Sequence, residues 1–184
     1  MRHSWTTVTL AGLAFLAAAH LGGCVTKTKY NQMLQQQQSL ESSLRTEIGA
    51  QQVKIEQLEN GIRVRMSNDL LYNSGSVELH PKGRAALDKV TDQLSTMASQ
   101  GNRIDVIGNT DDVPVGRELA ERYPTNWELA GARAAMVVRH LQGKGVDPTK
   151  LEAVSHAQYE PVASDSSAAG RGENRRTDLL IRPQ

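Results

Sequence analysis

Ile104-Asp105-Val106-Ile107-Gly108-Asn109-Thr110-Asp111, followed after a loop by Thr125-Asn126-Trp127-Glu128-Leu129-Ala130-Gly131-Ala132-Arg133-Ala134, is the stretch that decides how this chain folds. Its first half reads as a strand, with β-branched residues at Ile104, Val106 and Ile107. Thr125-x-x-Glu128 has the form of a capping box, so a helix starts there. A lone carboxylate, Asp111, stands at the end of the strand, and a lone guanidinium, Arg133, lies in the i, i+4 column of Leu129 and Val137. A charge set among apolar neighbours needs a partner. Such a pair suits a zwitterion bearing one ammonium and one carboxylate. It equally suits an internal salt bridge bracing the loop against the helix, and the residues alone leave both open.

Outward from this unit, residues 112–124 read as a loop punctuated by Pro114, Gly116 and Pro124. The helix opened by Thr125 runs to about Gln142, where Gly143 and Gly145 stop it. Upstream, Ile62-Arg63-Val64-Arg65-Met66 alternates apolar and polar, and with Leu70-Leu71-Tyr72 it predicts a first strand or hairpin. Pro81 opens a helix through about Ser99, with Ala85, Leu87, Val90, Leu94 and Met97 on its inner face. Residues 151–155 and 177–182 read as two further strands. Strands alternating with helices predict an α/β domain over residues 62–184, one sheet with helices packed on it.

Residues 27–62 have another character. Tyr30, Leu34, Gln37, Glu41, Leu44, Ile48, Gln51, Ile55, Leu58 and Ile62 fall at alternating steps of four and three, a heptad seam weakened by its polar members. As one helix this segment would reach about 54 Å at about 1.5 Å per residue and act as a stalk. A homo-oligomeric coiled coil, a solvated single helix and a glutamine-rich spacer all remain open for it. Further upstream, Arg2 and the short apolar run over residues 10–19 read as an export signal, too short for a span of about 20 residues. Leu21-Gly22-Gly23-Cys24 resembles the bacterial lipobox, which predicts a signal peptide over residues 1–23 and a diacylglycerol and palmitate anchor on Cys24. By the same resemblance, Val25 in place of aspartate directs the protein to the outer membrane, facing the periplasm. The lipidated cysteine and the helical linker then occupy residues 24–61.

Composition narrows the function. The chain has 21 basic and 20 acidic residues, and loss of residues 1–23 would remove only Arg2, so there is no electrostatic case for nucleic acid. Cys24 is the one cysteine, so no internal disulfide forms. His80, His140 and His156 lack metal-ligand spacing, so no metal or other cofactor is expected. Asp111-Asp112 has no nucleophile or paired base beside it, so no enzyme activity is expected. Arg176 and Asp178 are expected to brace the sheet.

Four motifs together carry a family resemblance. Gly75-Ser76-x-x-Leu79-x-Pro81-x-Gly83, Gly108-Asn109-Thr110-Asp111, Asn126-x-x-Leu129-x-x-x-Arg133-Ala134-x-x-Val137-x-x-x-Leu141 and Gly170-Arg171-x-x-Asn174-Arg175-Arg176 resemble the OmpA C-terminal (OmpA/MotB) domain over about residues 62–182. The resemblance implies an α+β sandwich, a βαβαββ mixed sheet with helices packed on it, here preceded by the helical stalk. It implies non-covalent binding of peptidoglycan through the diaminopimelate of the stem peptide, and so a lipid-anchored outer-membrane protein tethering the envelope to the wall. The alternative is the wall-anchoring component of a secretion or stator-like complex. By the same resemblance, Asp111 takes the ligand ammonium and Arg133 grips its carboxylate with two parallel N–H groups. Asn126 would add a side-chain amide, Thr110 a backbone contact, and Asn73 and Arg175 further polar contacts. Asn109 and Ala130 depart from the family, standing where histidine or tyrosine, and serine, are usual.

Overall fold

A computed structural model of the chain describes residues 27–73 and 75–183. The signal and lipobox expectations, Cys24 included, therefore lie outside the described residues. Two helices come first, α1 (Lys27–Ser43) and α2 (Arg45–Gly49). A hairpin follows, β1 (Val53–Leu58) and β2 (Gly61–Ser67), then a single turn, α3 (Asn68–Leu71), and a long helix, α4 (Pro81–Ser99). The remaining elements are β3 (Asn102–Asn109), the turn α5 (Arg117–Ala120), α6 (Asn126–Gly143), β4 (Leu151–Ala157), α7 (Ala168–Asn174) and β5 (Arg176–Pro183). The predicted βαβαββ series is present, extended by β1 in front and by α7 between the last two strands.

The five strands form one mixed sheet in the order β1-β2-β5-β3-β4. β3 and β4 are parallel, as a helical crossover through α6 requires, and β5 inserts antiparallel between β2 and β3. Alternation sets which side faces inward. Ile62, Val64 and Met66 of β2 and Thr177, Leu179 and Ile181 of β5 are buried, against Leu87, Leu94, Val137 and Leu141 from the helices. The intervening residues meet on the opposite face as ion pairs, Arg65 with Asp178 at 3.4 Å and Arg103 with Glu152 at 2.7 Å. Arg176 reaches Asp178 at 3.3 Å, so this pair braces the sheet as expected. On α4 the inner face runs through Ala86 rather than the exposed Ala85.

The expected continuous helix over residues 27–62 is not what forms. Helix stops at Gly49, Gln51 takes a left-handed φ of 58°, and the chain turns into the edge strand β1. Nor does the helical part project away as a stalk. Leu40 and Leu44 are fully buried in the domain core and Met33 is nearly buried, and Gln93 of α4 donates to Ser39 and Ser43. The seam therefore faces the chain's own core, shifted off the heptad register that Tyr30, 49% exposed, would have led. The boundary expected at residue 62 falls inside the β1–β2 hairpin. Leu44→Ala should accordingly destabilise the domain by about 2–5 kcal/mol, the cost of a cavity in a closed core. A denaturant titration checks it, and a change near zero would return α1 to the role of a spacer. No helix of the described residues is long and apolar enough to cross a membrane.

Candidate functional site

The site forms where β3 ends and α6 begins. Thr110 N–H donates to Ala157 O at 2.8 Å, tying the end of β3 to the end of β4, and Thr110 Oγ1 donates to Asp111 O at 2.8 Å. Asn126, at the first turn of α6, donates through Nδ2 to Asp111 O and Val113 O at 3.3 and 3.1 Å. The capping box is made: Thr125 Oγ1 accepts from Trp127 N–H at 3.2 Å and Thr125 N–H donates to Glu128 Oε2 at 2.9 Å. Hydrogen bonds from Thr125 hold the Glu128 carboxyl below its ordinary pKa. Gly108 permits the closeness of the two elements, for a Cβ there would lie 2.2 Å from Ala130 O.

Asp111 is 7% exposed. Its Oδ2 accepts from Arg175 Nη1 at 2.8 Å, and its Oδ1 from Val113 N–H at 3.3 Å. Arg175 also comes within 4.0 Å of Asp69, an exposed carboxylate on α3. Arg133 stands between buried Leu129 and Val137, as its helical column requires. Its guanidinium lies 5.2 Å from the centroid of the Tyr72 ring, a cation–π contact, and donates through Nε and Nη2 to Ser76 O at 3.2 and 3.1 Å. Among the described residues Arg133 has no carboxylate within salt-bridge distance. Burial, and then the nearby Arg175 charge, press its pKa below the ordinary value. Tyr72 is anchored beneath it, its hydroxyl donating to Arg133 O at 3.0 Å and meeting Thr177 Oγ1 at 3.1 Å, with burial driving its pKa up. Asn68, Asp69, Tyr72, Asn73, Gly75, Arg133 and Arg175 line an open pocket of about 330 Å³.

The six expected residues thus converge on one corner of the fold, and the alternative of an internal Asp111–Arg133 brace does not form. Asp111 and Arg133 do not pair with each other; Arg175, on the neighbouring strand side, takes Asp111 instead. The Asn126 amide and the Thr110 N–H are engaged by backbone carbonyls, where they shape the corner. Asn73 lies exposed at the pocket wall. Sequence reasoning missed Asn68, Asp69, Tyr72 and the Ser76 carbonyl. In sequence Tyr72 reads as part of a strand, three residues before Gly75, and nothing local signals its role. Asn68 is buried and bonded to Asn109 O and to Thr177, joining three elements under the pocket. The departure at Asn109 is accommodated inside, its Nδ2 donating to Ile107 O at 3.2 Å.

Comparison with known proteins places the chain. Over 132 residues it is 32% identical to outer membrane protein A of Bordetella avium, covering 72% of this chain and 63% of that one. It is 29% identical over 143 residues to the probable lipoprotein YiaD of Escherichia coli, covering 78% and 61%. Coverage of three curated relatives' own lengths runs from 63% through 49% to 37%, so the chain spans about a third to two thirds of them. Among solved structures, the cell wall anchor of the T6SS from Pseudomonas aeruginosa superposes with a TM-score of 0.70 at 30% identity, covering 79% of this chain and 97% of that one. A putative MotB like protein from Desulfovibrio vulgaris shares the fold, with a TM-score of 0.74 at 23% identity over 84% and 93% of the two chains. The model of the OmpA family matches residues 71–175, which include all six expected site residues, and the chain belongs to the OmpA family.

Proposed function

We propose that this protein binds peptidoglycan non-covalently by gripping the zwitterionic end of the stem-peptide diaminopimelate. The observation that carries this reading is Arg133: a half-buried guanidinium in an open pocket, resting on one carbonyl and an aromatic face, with no carboxylate partner among the described residues. A ligand carboxylate would supply the missing charge and take two parallel N–H groups. Asp111, with Asp69 at the rim, provides the acceptor for the ammonium. Two guanidiniums, Arg133 and Arg175, face two carboxylates, Asp111 and Asp69, so the site is neutral as a whole and matches a neutral zwitterion. Membership in the OmpA family and the likeness to a T6SS cell wall anchor support a wall ligand. Co-sedimentation with purified sacculi tests the reading: the protein should pellet with them, and protein left wholly in the supernatant would overturn it.

The same proposal includes an anchor. Cys24, following a short apolar run, carries lipid and holds the domain to the outer membrane, so that wall binding tethers the envelope. Each buried methylene contributes about 0.8 kcal/mol, which makes two or more acyl chains a firm attachment. Cys24→Ala should move the protein from the outer-membrane fraction of a sucrose gradient to the soluble periplasmic fraction, once sacculi are digested. Continued membrane attachment would refute lipidation. A second reading, wall anchoring for a secretion complex, is favoured by the 30% identity to the T6SS anchor and uses the same pocket. A stable multiprotein complex retained after sacculus digestion would select it.

A further inference from the structure

Trp127 and Tyr159 stack on each other with centroids 5.3 Å apart and planes 29° from parallel, yet remain 47% and 62% exposed. Among the described residues the exposed large hydrophobics are Tyr30, Val113, Trp127, Tyr159 and Val162, and three of these five border the Thr110–Asp111 corner. The rings are held to it by backbone. Trp127 follows Asn126, whose amide binds Asp111 O, and Tyr159 lies two residues past Ala157, whose carbonyl accepts from Thr110. Ser155 Oγ also donates to Trp127 O at 2.9 Å, joining β4 to the first turn of α6. Ala157 itself holds a left-handed φ of 50°, a conformation few non-glycine residues adopt, at the point where the chain turns towards Tyr159. A stacked, anchored and water-facing aromatic pair spends little conformational entropy on binding a flat apolar face.

We propose that this pair is a saccharide platform, taking the C–H face of a sugar ring in the glycan strand from which the bound stem peptide hangs; the inference rests on the diaminopimelate reading above. The face of a pyranose presents C–H groups of partial positive charge, which suit the negative face of an indole or phenol ring, while its hydroxyls stay in water. Distance agrees. The pocket lies at the ends of β2 and β5 and Tyr159 follows the end of β4, so two to three strand spacings, roughly 10–14 Å, separate them. About three to four extended residues of stem peptide span the same length. Charge argues for a neutral sugar over an anionic lipid surface, because Glu128 and Glu160 adjoin the two rings in the sequence.

The test compares four probes on the full-length protein: the diaminopimelate stem peptide, the same peptide linked to its disaccharide, the disaccharide alone, and anionic phospholipid vesicles. Wild type should bind the linked form several-fold more tightly than the peptide. Trp127→Gln and Tyr159→Ser should each lower that preference about two- to tenfold, the range for one aromatic contact, with peptide affinity unchanged. Tyr159 is exposed enough for its replacement to leave the melting temperature near wild type, so a misfolded Trp127 variant would not obscure the result. An absent preference in wild type, or one that persists in both variants, would overturn the platform. Binding of the disaccharide without the peptide would keep the platform and overturn the pocket. Binding of neither would overturn both, and loss in the variants of binding to anionic phospholipid vesicles alone would assign the rings to lipid instead.

Discussion

Arg133→Ala should remove most binding to sacculi while the domain stays folded. In the free protein the polar and ring contacts of this side chain among the described residues are the Ser76 carbonyl and the Tyr72 ring, at an open pocket, so its loss should change the melting temperature little. In the complex the same change leaves the ligand carboxylate desolvated and unpaired, a cost of about 2–5 kcal/mol, or about thirtyfold or more in affinity. Arg133→Lys should recover little, since an ammonium cannot present two parallel donors. Asp111→Ala is the less clean partner experiment. It strips Arg175 of its 2.8 Å acceptor and the Val113 N–H of its bond, so binding and local stability should fall together. Sacculus co-sedimentation paired with thermal melts separates the cases. Folded Arg133→Ala that binds like wild type would remove the anion site.

Gly108→Ala should destabilise the protein and displace the site in one step. The added Cβ would meet Ala130 O at 2.2 Å, Ala130 C at 2.8 Å and Ala130 Cα at 3.1 Å, all backbone, so β3 and α6 must separate. Overpacking of this kind costs about 1–3 kcal/mol or more, a fall of roughly 3–10 °C in melting temperature for a domain of this size. Asp111 lies three residues beyond Gly108 and Arg133 three beyond Ala130, so separating the elements also widens the site. The protein still folded at low temperature should bind sacculi more weakly. A melting curve superposing on wild type would mean that the close approach of strand and helix does not set the site.

What was legible in the sequence follows the strength of local signals. Pro81 with its helical apolar spacing, the Thr125–Glu128 box and the alternation over residues 62–66 each specify structure within a few residues, and each forms as read. The β1 strand was hidden because Ile55, Leu58 and Ile62 satisfy a heptad as well as they satisfy a hairpin. Short apolar runs do not separate the two periods. The end of the helical segment is made by Gln51 in a left-handed conformation, where a glycine would have announced it. At the site, the residue types were readable and their pairing was not. By charge alone either Arg133 or Arg175 could partner Asp111, and only the placement of β5 beside β3 gives Asp111 to Arg175. Tyr72 became visible as the floor under Arg133 only once α3 and α6 were brought together.

The proposed grip of Arg133 on the carboxylate of a zwitterionic diaminopimelate has a direct thermodynamic readout. A calorimetric cycle tests it most directly, titrating wild type and Arg133→Ala with the stem peptide and with the same peptide amidated at the diaminopimelate side-chain carboxyl. Amidation should cost wild type at least about tenfold in affinity, and it should cost Arg133→Ala almost nothing, because the partner is already gone. Equal losses on amidation in both proteins, or none in wild type, would contradict the account.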